Sequence, residues 1–130
     1  MEKSLNLITS QKNVMVVDDD KLAQLFIKNF MEELGWKVVV AKSGFEAVDL
    51  FNGKMSVITM DYNMPEMNGV EATLAIRKKE KIFKNKNPAF IIGITAHDDK
   101  ETIEACLAAG MDKVFTKPVN PKALEEYLNN

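Results

Sequence analysis

The sequence predicts an α/β fold made of five consecutive βα units around a parallel sheet. Two observations carry that prediction. Five short apolar runs alternate with segments whose apolar residues recur at helical spacing, and neither an internal repeat nor a linker interrupts the alternation. The 130 residues, 46% of them hydrophobic, are the length of one domain and can bury a single core. Residues 13–130 are read as that domain and residues 1–12 as a short polar tail.

Taken in order, the first strand is Val14-Met15-Val16-Val17. A helix follows from near Lys21, where Leu22, Leu25, Phe26, Phe30 and Leu34 recur at helical spacing, and Gly35 stands where a C-terminal stop is expected. Val38-Val39-Val40 form the second strand. Ser43 and Glu46 have the spacing of a capping box, in which each side chain satisfies an orphan backbone N–H, and open a second helix that runs through Phe51. The third strand, Val57-Ile58-Thr59-Met60, delivers Asp61. Gly69 begins the third helix, with Val70, Leu74 and Ile76. Arg77, Lys78, Lys79, Lys81, Lys84 and Lys86 read as its solvated end and the following loop. Phe90-Ile91-Ile92-Gly93-Ile94, apolar throughout, is a strand buried on both faces. The fourth helix covers residues 99–109 before Gly110, and the fifth strand covers residues 113–116. Asn120 caps the last helix, with Pro121 in the first-turn position where its missing N–H is not needed.

The strand ends carry the chemistry. Asp18 and Asp19 follow the first strand, Asp61 the third, Thr95 the fourth and Lys117 the fifth. In an open parallel sheet ligands bind outside the carboxyl ends of the strands, so three carboxylates, a hydroxyl and an ammonium meet on one rim. A hard dication takes such oxygen ligands, and a cation and hydroxyl beside it can neutralise phosphoryl oxygens. That is a magnesium and phosphoryl site. The run Asp18-Asp19-Asp20 also suits a helix N-terminus exploiting the dipole, with Asp20 as a cap.

Composition narrows the remaining classes. A formal net charge of −2 and a pI near 5.5 give no overall basic field to recruit nucleic acid or an anionic membrane. No apolar run approaches the roughly 18 residues of a membrane span, and the N-terminus lacks the apolar stretch of a signal peptide. Cys106, the lone cysteine, cannot form an internal disulfide, which fits a reducing cytoplasmic setting. Cys106 and the eight methionines read as adaptable core filler, and His97, the single histidine, as an exposed loop residue.

The acidic pair after Val16-Val17, the turn Asp61-Tyr62-Asn63-Met64-Pro65, the pair Thr95-Ala96 and the pair Lys117-Pro118 stand in order, each at the end of an apolar run. Together they resemble the receiver domain of two-component response regulators and hybrid histidine kinases, from Asn13 to the C-terminus. The resemblance implies a flavodoxin-like, doubly wound (βα)5 sheet of strand order 2-1-3-4-5. It implies a phosphorelay role in which Asp61 accepts a phosphoryl group from a phosphohistidine donor. Mg2+ would be held directly by Asp19 and Asp61, through water by Asp18, and by the backbone carbonyl of Asn63. Thr95 and Lys117 would neutralise the transferring group, and the Lys117–Pro118 peptide would be cis. His97 and Asn63 would flank the path of water attacking the phosphoaspartate. The implied partners are a histidine kinase or a histidine phosphotransfer protein, docking near Lys21, Leu22, Leu25 and Pro118. The chain is expected to be a cytoplasmic monomer, or the cytoplasmic part of a larger membrane kinase, that neither inserts into membrane nor binds nucleic acid. It is not a conventional enzyme, since it catalyses only its own phosphotransfer and autodephosphorylation. No output domain is expected after the last helix, which favours relay.

One position departs from the family. Three residues before the lysine many receivers carry Tyr or Phe, whose ring swings inward, and here Val114 has no ring; strand alternation points neighbouring Phe115 to the opposite face. Two other readings compete. Asp18-x-Asp20 after a strand resembles the haloacid-dehalogenase phosphatase motif, with Asp18 as nucleophile, Asp20 as acid/base, and Thr95 and Lys117 as its further motifs. Leu22 stands where that motif has Thr or Val, and a distal acidic pair and a cap are missing. A docking module that is never phosphorylated is disfavoured because every phosphorylation residue is present.

Overall fold

The computed structural model describes residues 12–129, so the proposed tail lies, apart from Lys12, outside the described residues. Strands and helices alternate strictly: β1 (Asn13–Val17), α1 (Lys21–Glu33), β2 (Lys37–Ala41), α2 (Gly44–Leu50), β3 (Val57–Asp61), α3 (Gly69–Ile82), β4 (Phe90–Thr95), α4 (Lys100–Ala109), β5 (Lys113–Thr116) and α5 (Pro121–Leu128). The five strands pair in parallel in the order β2-β1-β3-β4-β5, as the resemblance implies. All residues of β3 and β4 are buried, whereas β2, at the edge, is only partly so. Their uninterrupted apolar runs follow from helices on both faces.

The two-residue period of the strands sorts the core into two layers. Met15, Val17, Ile58, Met60 and Ile91 face one side, against Ala47 and Phe51, Ala72 and Ile76 of α3, and Cys106 of α4. Val14, Val16, Val57, Ile92 and Ile94 face the other, against Ile27 and Met31 of α1 and Leu124 and Leu128 of α5. Cys106 and most of the methionines are core, as composition suggests.

The recurrence of Leu22, Leu25 and Phe26 marks the helix, and Leu22 and Leu25 lie on its exposed start, as expected of a docking face. All three are exposed, and Gln24, Ile27 and Met31, spaced three and four apart, turn to the sheet. Two sequence expectations need correction. Ser43 does accept the Glu46 N–H at 3.0 Å, but Glu46 returns to the N–H of Lys42 at 2.8 Å, one residue before the cap. The reciprocal box forms at α3, between Asn68 and Glu71.

The second correction concerns the basic cluster, which is not uniformly solvated. The Arg77 guanidinium donates to the carbonyls of Gly110 (3.0 and 2.7 Å) and Ala89 (2.9 Å) and pairs with Glu80 (2.7 Å) and Asp112 (3.0 Å). Lys79 Nζ donates to the carbonyls of Val48 and Phe51, satisfying acceptors that the end of α2 leaves open. Lys78, Lys81, Lys84 and Lys86 are exposed.

Candidate functional site

Parallel pairing aligns the carboxyl ends of β1, β3, β4 and β5, so the side chains that follow them share one rim. One carboxylate oxygen each from Asp18, Asp19 and Asp61 can be chosen so that all lie within 4.8 Å of one another. Asp61 is 2% exposed, and the Lys117 ammonium stands 3.0 Å from its Oδ1, a charge partner whose approach lies off good hydrogen-bonding geometry. The Lys117–Pro118 bond is cis. Lys117 N–H also donates to the Thr95 carbonyl at 2.7 Å, which ties the β5–α5 loop to the end of β4.

Each remaining residue has a distinct local role. Asp18 Oδ1 accepts the Asp20 N–H at 2.9 Å, which orients the carboxylate, while Asp19 is exposed. Asp20 caps α1 by accepting from Ala23 N–H at 2.9 Å. Thr95 is fully buried and its Oγ1 accepts the His97 N–H at 3.0 Å, so the hydroxyl proton is left to donate elsewhere. His97 and Asn63 are exposed in the loops after β4 and β3, and the His97 ring meets the edge of Tyr62 at 5.8 Å. Val114 packs in the α3 and α4 layer and Phe115 in the opposite one against Tyr127, as alternation predicts.

Two contributors escape a reading of the sequence. Gln24 is buried on α1 and donates from Nε2 to the Asp18 carbonyl at 2.7 Å, steadying the acidic loop. Its one signal is a polar residue on the helical face shared with Ile27 and Met31. Gly69 reads from sequence only as a helix start. A Cβ there would meet the Asp61 carbonyl oxygen at 2.5 Å, so glycine lets α3 begin directly behind the site.

The electrostatics follow from this packing. Burial pushes the Asp61 carboxyl up to about 6, with repulsion from Asp18 and Asp19 adding to it and the Lys117 ammonium opposing. Burial likewise raises Asp18. Burial alone would lower Lys117, but the neighbouring carboxylates, Asp61 first, outweigh it and raise it. Crowded hard oxygens, with the Asp18 and Asp61 carboxyls raised by burial, are a donor set suited to a small dication, which relieves their repulsion. Beside the rim an apolar cavity of about 590 Å³ opens between α1 and the β5–α5 loop, lined by Leu22, Phe26, Ile27, Ile94, Pro118 and Val119.

The response regulator receiver domain family model matches residues 14–129. The chain is 36% identical over 124 residues to hybrid signal transduction histidine kinase I of Dictyostelium discoideum, covering 91% of this chain but only 7% of that protein. Among solved structures it is similar to the Saccharomyces cerevisiae Ssk1 receiver domain, crystallised with the histidine phosphotransfer protein Ypd1. The TM-score is 0.85 at 29% identity, covering 92% of this chain and 87% of that one. It is also similar to the receiver domain of the Pseudomonas aeruginosa PAO1 sensor histidine kinase PA1611, with magnesium coordinated in its active-site cleft. There the TM-score is 0.76 at 27% identity, over 92% of this chain and 96% of that one. Among the described residues no helix is long and apolar enough to cross a membrane.

Proposed function

This chain belongs to the response regulator receiver domain family, and from that premise we propose that Asp61 accepts a phosphoryl group from a phosphohistidine on a partner protein and passes it on in a phosphorelay. The observation that carries the reading is the Lys117 ammonium 3.0 Å from the buried Asp61 carboxylate, inside a cluster of three carboxylates. Receiver domains bind Mg2+ in such an acidic pocket. Here Asp19 and Asp61 would hold it directly, with Asp18 through water and the Asn63 carbonyl completing the protein's share. When bound, the ion neutralises phosphoryl oxygens and lowers the repulsion among the carboxylates.

The chain's own groups supply the rest. An Asp61 oxygen attacks phosphorus in line; the new P–O bond forms as the P–N bond to imidazole breaks, and the electron pair leaves with the imidazole nitrogen. Even without the ion, burial and its acidic neighbours raise the Asp61 carboxyl only to about 6, so it is mostly ionised at neutral pH and able to attack. Lys117 balances charge on the transferring oxygens, and the Thr95 proton, free because Oγ1 already accepts from His97, donates to one of them. His97 and Asn63 flank water's approach to the product. Val114 leaves the site chemistry intact but supplies no ring to couple it to the α4 and β5 surface.

The exposed Leu22, Leu25 and Phe26 of α1, with Pro118 and the neighbouring cavity, offer a histidine phosphotransfer protein an apolar face beside the nucleophile. The phosphatase reading finds no support in the geometry, since Asp20 is engaged as a cap and Lys117 pairs with Asp61 rather than Asp18. The test is mass spectrometry after incubation with acetyl phosphate and Mg2+, which should place one phosphoryl group on Asp61. Asp61→Asn should abolish labelling without unfolding, and label that persists or appears on Asp18 would refute the assignment.

A further inference from the structure

We propose that the end of the molecule opposite the acidic rim is a docking surface for an anionic lipid bilayer. α3 starts at the rim and runs back along the sheet, so its last turn and the loop after it lie at the amino ends of the strands. Ile82 and Phe83 stand together there, 67% and 46% exposed. Phe83 stacks on the buried Phe51, with ring centroids 6.3 Å apart, and Lys79 Nζ stands 5.6 Å from its ring, so Phe83 is fixed in place and Ile82 is the more exposed of the pair. Lys78, Lys81, Lys84 and Lys86 surround it, all exposed. Lys54 joins them from the loop that Asn85 ties in by donating to the Gly53 carbonyl at 3.2 Å.

Within its own segment this cationic patch is almost unopposed, while exposed Glu32 and Glu33 at the end of α1 occupy the other side of the same end and confine the patch to the α2 and α3 side. Between Glu71 and Asp98 the chain has a single carboxylate, Glu80, and it is buried against Arg77 and the Ala89 N–H. Asp49, exposed on α2, offsets one lysine. Lys84 holds a left-handed φ of 54°, where glycine or asparagine would be less strained, so a long cation is kept at the tip against backbone preference.

The shape selects the occupant. An acidic peptide binds most specifically in a groove, along an open strand edge or against an arginine cluster, and the exposed cations here are all lysines. β4, which follows the tip, is flanked by β3 and β5, and the roughly 220 Å³ cavity beside β2 takes in Lys54 but nothing of residues 78–86. An exposed Ile82–Phe83 pair among exposed lysines instead matches the interfacial mode, in which Ile and Phe enter the headgroup layer and lysine stems snorkel. The acids on the rim lie about a strand's length away, roughly 17 Å, or about two Debye lengths at physiological salt, so their repulsion is screened. Docked in this way, the rim faces water and phosphotransfer proceeds unhindered.

The test is co-sedimentation of the full chain with phosphatidylcholine vesicles that contain or lack about 30 mol% phosphatidylserine. Partition should require the anionic lipid and fall steeply between about 0.05 and 0.5 M salt. Lys81→Glu with Lys84→Glu should lower it at least about 25-fold, about fivefold for each lysine, and Ile82→Ser should weaken it separately. Labelling of Asp61 and far-ultraviolet circular dichroism should match wild type in these variants, separating loss of the surface from loss of the fold. Absence of partition, or equal partition by the charge-reversed variant, would overturn the proposal. Binding to polyglutamate without binding to vesicles would overturn it too, by assigning the surface to an acidic protein.

Discussion

Asp61 shows how burial and charge set the chemistry of a single residue. Its carboxyl is raised from an ordinary 3.8 to about 6, by burial first and by Asp18 and Asp19 next. A proton therefore binds the folded state more tightly than the unfolded one. The stabilisation from that proton is present below pH 4 and is lost as pH rises through about 6. In chelator-treated protein, wild type should lose about 1–3 kcal/mol relative to Asp61→Asn across that window. Urea denaturation of both proteins between pH 4 and 7 would measure it, and parallel stability curves would contradict a raised Asp61 carboxyl. Asp61, Thr95 and Lys117 are legible in the sequence because each ends an apolar strand run. Gln24 is not, because its role depends on which face of α1 meets the sheet.

At the scale of elements, local signals mark starts and stops better than they mark faces. Asp20, Asn120, Pro121, Gly35 and Gly110 act as their residue types suggest, through side-chain caps or the left-handed backbone. Arg77 defeats a local reading because, Glu80 apart, its partners lie 12 to 35 residues away, on loops that only the folded sheet brings beneath α3. It joins α3 to the α4–β5 loop and to the residue before β4, so Arg77→Met should destabilise the domain by about 2–4 kcal/mol by removing the guanidinium that Glu80, Asp112 and the Gly110 carbonyl share. A lowered urea midpoint at unchanged slope would be the expected result. A loss within about 0.5 kcal/mol would mean that water replaces the clamp.

For the whole molecule, the sheet order concentrates repulsion at one end. Asp18, Asp19 and Asp61 come from β1 and β3, neighbours at the centre of the sheet, and their crowding is a cost that a bound cation removes. Mg2+ should therefore raise the melting temperature by binding the folded state alone, by an amount that grows with ion concentration. Asp19→Ala should abolish most of that shift and most phosphotransfer, as scanning calorimetry and labelling can show. Unchanged Mg2+ affinity in the variant would remove Asp19 from the ligand set.

The order of elements, the buried central strands and the residues at the strand ends are all written in the chain, because period, caps and breakers are local and each βα unit is short. The resemblance of four short motifs supplies the strand order, which local periodicity cannot encode. Tertiary structure alone decides which side of α1 is covered, which basic residues are clamped and which are free, and how far burial lifts Asp61. Those properties depend on distances between residues far apart in sequence, and they exist only once the sheet has brought its carboxyl ends together.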